Sequence, residues 1–241
     1  MMLGWRAKIG QIRPATAIEG AEEWRSVAPE GVHFADARTI VPSVDEDGLR
    51  IMMTQVLQAS RQLATAKPDL IVQCGAPGIF LHGEQGYEHQ ITSEITRETG
   101  IAAITMMGAM VDALQAVGAT RIAIASTYSD SVNAALARYL ETKHISVGAM
   151  RGLQLVDPYD SSMHGDDTSY RLARESFKAA GKVDAVLISC GTFRTFKMLP
   201  YLEKDCGVPV ISSNQATLWR ALRKVGLRDV IPNLGQLWSV A

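Results

Sequence analysis

An internal repeat limits the fold of this chain more than any other feature of its sequence. Lys67-Pro-Asp-Leu-Ile-Val-Gln-Cys-Gly75 resembles Lys182-Val-Asp-Ala-Val-Leu-Ile-Ser-Cys-Gly191. Downstream, Gly100-Ile-Ala-Ala-Ile-Thr105 matches Gly207-Val-Pro-Val-Ile-Ser212, and each is followed by a helical stretch ending in a similar phrase, Ala113-Leu-Gln-Ala-Val-Gly118 and Ala221-Leu-Arg-Lys-Val-Gly226. Two similar lobes are expected, each presenting a Cys-Gly turn at a strand end. Residues 1–117 with 215–241 are assigned to the first lobe and residues 118–214 to the second.

Short β-branched runs alternate with segments of helical period along the whole chain. The predicted strands are Lys8–Arg13, Val32–Thr39, Leu70–Gln73, Ala102–Thr105, Arg121–Ser126, Ser146–Met150, Ala185–Ser189 and Val208–Ser212. The predicted helices are Asp45–Thr65, Glu88–Thr99, Met107–Val117, Ser131–Lys143, Thr168–Ala180 and Ala216–Val225. This alternation predicts an α/β fold of two pseudo-symmetric lobes, each a short parallel sheet flanked by helices. Ligands of open α/β sheets bind outside the carboxyl ends of the strands, so the cleft between the lobes is the expected site.

Composition excludes several classes. The chain has 241 residues and a formal net charge of −1, with no basic run, so nucleic acid is not an expected partner. Its 3 cysteines are too few and scattered for a disulfide framework, and no CxxC pair suggests zinc. Met1 to Gly10 has no apolar core of a secretory signal. The most apolar stretch, Ile101 to Ala119, is interrupted by Asp112 and Gln115 and reads as a strand running into a helix, not as a membrane span. A soluble cytoplasmic protein without a membrane partner is expected.

Cys190 opens the small-residue turn Cys190-Gly191-Thr192 after an apolar strand, where backbone N–H groups favour a thiolate and can hold a carboxylate. The competing reading is an inert buried cysteine. Cys74 looks like its symmetric partner, but the register differs. Five residues separate Asp69 from Cys74 and six separate Asp184 from Cys190, so without a gap Gly75 matches Cys190. A one-residue slip turns a side chain to the other face, and a bulge would restore it. Cys206, at the amino end of a strand, reads as structural. Tyr128 ends a strand before a helix and can donate to a substrate oxygen. Ser212-Ser-Asn-Gln215 either binds a carboxylate or caps the next helix. Pro14-Ala-Thr-Ala17 would line the same cleft. His82 and His89 flank a Gly-rich turn without a third ligand, and no P-loop or GxGxxG motif supports a nucleotide cofactor.

Ile9-Gly-Gln-Ile-Arg-Pro14, Cys74-Gly-Ala-Pro77, Ser126-Thr-Tyr-Ser-Asp-Ser-Val-Asn133, Leu187-Ile-Ser-Cys-Gly-Thr192 and Val208-Pro-Val-Ile-Ser-Ser-Asn-Gln-Ala-Thr-Leu-Trp219 span almost the whole chain. Together they resemble the Asp/Glu racemase superfamily, in its maleate isomerase and arylmalonate decarboxylase branch. The resemblance implies two α/β lobes, no metal, no organic cofactor, and a small carboxylic or dicarboxylic acid bound between the cysteine-bearing turns. It implies that Cys190 is catalytic, with Cys74 its potential partner, that Tyr128 hydrogen-bonds the substrate carboxylate, and that the Gly191 and Thr192 backbone binds the same anion. Pro14, Ala17, Gly75, Ala76 and Ser213 are the remaining expected substrate-binding residues. Departures from the pattern are informative. Ala17 replaces an asparagine of the isomerases, and Gly75, Ala76 and Pro77 replace a cysteine followed by Thr-Ser. Decarboxylases carry hydroxyl residues at the positions of Ala76 and Pro77, and those are missing too. Ser213-Asn-Gln-Ala-Thr217 looks more isomerase-like.

The leading expectation is decarboxylation of a malonate-type acid through an enediolate held by Tyr128 and the turn amides, with Cys190 as proton donor. The alternative is an isomerase or racemase using Cys190 with Cys74 on a small dicarboxylate. A non-catalytic carboxylate-binding protein is the third reading. Association into a homo-oligomer is left open by the sequence.

Overall fold

The structure, a computed structural model, describes residues 3–82 and 86–240. Met1, Met2, Ala241 and the Gly83-Glu84-Gln85 part of the turn between His82 and His89 lie outside the described residues. In chain order the elements are β1 (Ala7–Pro14), α1 (Ile18–Val27), β2 (Val32–Thr39), α2 (Glu46–Thr54), α3 (Val56–Ala64), β3 (Leu70–Gln73), α4 (Ala76–Phe80), α5 (Tyr87–Thr99), β4 (Ala103–Thr105) and α6 (Met106–Ala116). The second half follows with β5 (Arg121–Ser126), α7 (Asp130–Glu141), β6 (Ser146–Gly152), α8 (Pro158–Ser162), α9 (Asp166–Ala180), β7 (Ala185–Ser189), α10 (Leu199–Cys206), β8 (Val210–Ser212) and α11 (Ser213–Lys224). A short 3₁₀ turn, Gln236–Ser239, follows α11.

The strands form two four-stranded sheets of the same topology, β2-β1-β3-β4 and β6-β5-β7-β8, parallel throughout. Every residue of β3 and of β7 is buried, as expected for central strands covered by helices on both faces. Helices α6 and α11, which follow the last strand of each sheet, pack against each other.

The repeated Lys-x-Asp phrase has a local purpose. Asp69 N–H donates to Lys8 O while its carboxylate accepts from Lys8 N–H, both at 2.8 Å. Asp184 repeats this with Arg121, at 2.7 and 2.8 Å. Each aspartate thereby clamps the start of one central strand to the other. Donors from Thr120 and Arg121 also hold the Asp184 carboxyl below its ordinary pKa.

From those clamps the β1–β3 and β5–β7 ladders run without a register shift, Ile12 opposite Gln73 and Ser126 opposite Ser189. Counting forward in phase, Gly75 is the equivalent of Cys190, and Cys74 is the equivalent of Ser189. No bulge restores Cys74 to the Cys190 position. The register shift that does occur lies in the second sheet, between Ile122 and Ala123 of β5 against β6.

Several predicted boundaries shift. The single helix expected over Asp45–Thr65 is two helices parted at Gln55, whose side chain exchanges hydrogen bonds of 2.9 Å with both the N–H and C=O of Ile40 at the end of β2. Cys206 ends a helix the sequence did not signal, α10. The last strand starts at Val210, not Val208. Ser212 caps α11 in a reciprocal capping box with Gln215, so that polar cluster is a helix start.

Candidate active site

The carboxyl ends of the four central strands, β1 and β3 from one sheet and β5 and β7 from the other, converge on a partly open cavity of about 60 Å³. Pro14 ends β1 with Thr16 and Ala17 just after it, and Cys74, Gly75, Ala76 and Pro77 follow β3. Thr127 and Tyr128 follow β5, and Cys190, Gly191 and Thr192 follow β7. The roof comes from the segments beyond the outer strands: Val41 and Val44 in the loop after β2, Leu49 and Met52 on α2, and Pro158 and Ser161 on α8. These segments meet through one main-chain hydrogen bond, Val44 N–H to Val156 O at 2.7 Å.

Polarity is distributed unequally around this space. The Cys190 thiol lies 2.9 Å from Thr192 Oγ1 and accepts from Thr127 Oγ1 at 3.3 Å. Tyr128 is buried beside it, and burial, reinforced by the proximity of Cys190, pushes its pKa up. A phenol so placed stays protonated and is available as a donor. On the opposing side the ladder equivalents of Thr127, Tyr128, Cys190, Gly191 and Thr192 are Pro14, Ala15, Gly75, Ala76 and Pro77. At those five positions the thiol, the phenol and both hydroxyls are absent, and Pro77 also removes a backbone N–H, which leaves Thr16 as the hydroxyl residue on that side. No cationic side chain borders the cavity among the described residues.

Cys74 borders the cavity, but its thiol turns back to Val72 O at 3.7 Å. Burial raises its pKa, opposed by the nearby Arg13 guanidinium. The other charges that bear on it are those of Asp36 and Arg38.

Of the residues anticipated from sequence, Pro14, Ala17, Cys74, Gly75, Ala76, Tyr128, Cys190, Gly191 and Thr192 all surround this cavity. Ser213 does not border it. Its hydroxyl is buried in α11 and donates to Ile188 O at 3.2 Å. Sequence reasoning passed over Thr127, the hydroxyl beside Cys190, although it stands next to Tyr128 in a quoted motif. It also passed over Ser161 and the apolar roof, whereas Thr16 lies in the Pro14-Ala-Thr-Ala17 stretch expected to line the cleft. Among the described residues no His, Cys, Asp and Glu side chains cluster as a metal site. No helix there is long and apolar enough to cross a membrane.

Known proteins share this fold. The arylmalonate decarboxylase of Bordetella bronchiseptica is 29% identical over 184 residues, 76% of each chain. A maleate isomerase of Nocardia farcinica is 24% identical over 240 residues, covering 95% of this chain and 94% of its own. Among solved structures, a doubly substituted arylmalonate decarboxylase in its liganded form superposes with a TM-score of 0.89 at 27% identity, covering 96% of this chain and 98% of that one. The maleate isomerase Iso of Pseudomonas putida S16 with maleate gives a TM-score of 0.91 at 23% identity, covering 98% of both chains, a likeness of fold. The family described as arylmalonate decarboxylase matches residues 9–238, and the chain belongs to that family.

Proposed function

We propose that this enzyme decarboxylates a malonate-type diacid carrying an apolar substituent, using Cys190 as its one proton donor. The supporting observation is the one-sidedness of the cavity. A carboxylate that remains on the substrate fits the β5/β7 side, where Tyr128, Thr192 and the turn N–H groups can donate to it. The departing carboxylate then faces the Pro14, Ala17, Ala76 and Pro77 side, where nothing charged solvates it. Poor solvation favours the neutral carbon dioxide over the carboxylate. The C–CO₂ bond breaks and its electron pair enters the enediolate. Donors aimed at that developing charge contribute about 3–4 kcal/mol each. The Cys190 thiol then gives its proton to the α-carbon, and water reprotonates the thiolate.

An isomerase or racemase of the Asp/Glu type would place a second thiol across the substrate carbon from the first. Gly75 stands at that position, and the Cys74 thiol faces Val72 O. The isomerase-like Ser213-Asn-Gln-Ala-Thr217 is occupied by capping and by a buried network, described below. The test is incubation in D₂O with phenylmalonate, maleate and aspartate separately, followed by proton NMR. Loss of the malonate with one deuterium on the product carbon is expected. Fumarate from maleate, or exchange at the aspartate α-carbon, would overturn the reading.

A further inference from the structure

Behind the Cys190 turn lies a polar network that the proposed chemistry leaves unused. Glu23, on α1, accepts from the main-chain N–H groups of Thr195 and of Phe196, the latter at 2.8 Å, and from Asn214 Nδ2 at 2.9 Å. Asn214 Nδ2 also donates to Gly191 O at 3.2 Å and Phe193 O at 3.4 Å, and its Oδ1 accepts from Arg13 Nη1 at 3.4 Å. Its main-chain carbonyl accepts from Trp24 Nε1 at 2.9 Å, which ties α11 to α1. Arg13 is fully buried with its guanidinium 4.7 Å over the Trp24 ring, and it makes no ion pair among the described residues. Helix α1 sits against this group because residue 20 is glycine. A Cβ there would lie 2.5 Å from Gly191 O and 2.6 Å from both Arg13 Nη1 and Asn214 Oδ1.

We propose that Glu23 is a positioning residue for Cys190. Its ionised carboxylate, acting with Asn214, holds residues 191–196 so that the thiol and the Gly191 and Thr192 amides face the cavity. A carboxylate can accept all three N–H donors that surround it, whereas a protonated carboxyl brings a fourth donor into the cluster and loses acceptor capacity. The charges that reach Glu23 from neighbouring elements are those of Arg13 on β1 and Asp166 at the start of α9. Burial raises its pKa to about 7 against the three donors that favour the ionised form. The clamp therefore forms as pH rises through neutrality.

The test pairs ¹⁵N NMR of the wild-type protein with kinetics, and only the kinetic arm rests on the proposed decarboxylation. The amides of Thr195 and Phe196, and those of Gly191 and Thr192, should titrate together near pH 7. All four should be flat in Glu23→Gln. In Asn214→Ser the first pair should still titrate while the second falls silent. With an acid that is turned over, wild-type kcat should rise through the same midpoint at nearly constant KM. Glu23→Gln should be flat in pH and about tenfold slower above it, the size of effect a slightly misplaced reacting group produces. Thr195 and Phe196 titrating without Gly191 and Thr192 would reduce Glu23 to a local structural role and overturn the proposal. So would an unchanged kcat profile in Glu23→Gln. If none of the tested acids is turned over, the reading of the reaction fails while the amide titrations still decide this one.

Discussion

The turns after β3 and β7 occupy equivalent places in two sheets of one topology, and chemically they are opposites. After β7, a thiol stands between two threonine hydroxyls, beside a buried phenol, with Glu23 and Asn214 bracing the loop behind it. After β3, the thiol position is a glycine, the hydroxyl position is a proline, and the bracing group is neutral: Gln73 donates to Gly75 O at 3.1 Å. The same backbone frame is thus used once for reactive groups and once for an apolar wall. The difference teaches that symmetry of fold does not imply symmetry of mechanism. A carbanion formed between these turns meets a proton donor on one face, so its product should have one hand.

The strongest way to break this comparison is to delete each thiol in turn. Cys190→Ala should lower turnover by roughly 10²–10⁴-fold, the usual contribution of a positioned proton donor. An equal loss in Cys74→Ala would restore the symmetric reading. Next in size, Tyr128→Phe should cost about 10²–10³-fold in kcat, the effect of removing one donor aimed at developing negative charge. Steady-state assays of the folded variant, with circular dichroism as a control, would show it.

Gly75→Cys would sharpen the comparison by writing a second thiol into the equivalent position. Its Cβ would come within 2.8 Å of the Met52 methyl and of Gln73 Nε2, so both flexible side chains must shift. Decarboxylation should slow, and the variant should gain exchange of the product α-hydrogen in D₂O, read by NMR. Retention of a single product hand without exchange would show that the two turns do not face one carbon. Cys74→Ala should keep turnover within about twofold and lose about 1 kcal/mol of stability, the typical cost of one side-chain change.

A pH-dependent effect on stability concerns Glu23. Its pKa rises from an ordinary 4.5 to about 7 on folding, so between those values the native state holds a proton that the unfolded chain has released. Stability from that proton is complete below the lower value and is lost as pH rises through the upper one. The Tm of the wild type relative to Glu23→Gln should therefore fall over that interval. An opposite slope would mean that the carboxyl is not raised. The ionised form that braces the β7 turn is then the less stable one, a common trade at working sites.

Much of this was legible because it depends on counting. The Lys-x-Asp phrases start both central strands in phase, so the five-versus-six spacing matched Gly75 to Cys190 in the ungapped register, and the unshifted ladders removed the bulge that the sequence left open. Tyr128 and Thr192 followed from lying at strand ends. The roof was not legible, because Val41 and Val44 in a loop and Pro158 at the start of α8 meet only through the placement of two separately formed sheets. Helix α1 was hidden by Gly20 in its interior and by an N-cap, Ala17, with no side-chain bond. Asn214 read as a cap or a ligand for substrate because its partners Glu23, Arg13 and Gly191 are scattered across the chain. The break at Gln55 depends on Ile40, which lies 15 residues away.

The glycine in the middle of α1 has one further effect, on how the molecule opens. Gly in a helix interior disfavours the helix by about 1 kcal/mol relative to Ala. A ten-residue helix is marginal in isolation in any case. Segment 18–27 is thus helical because Trp24, Glu23 and Gly20 are anchored on α11 and the 191–196 loop, which belong to the other end of the chain. Loosening that anchorage removes the support of the helix, so amide exchange in α1 and in the Cys190 loop should proceed through one shared opening.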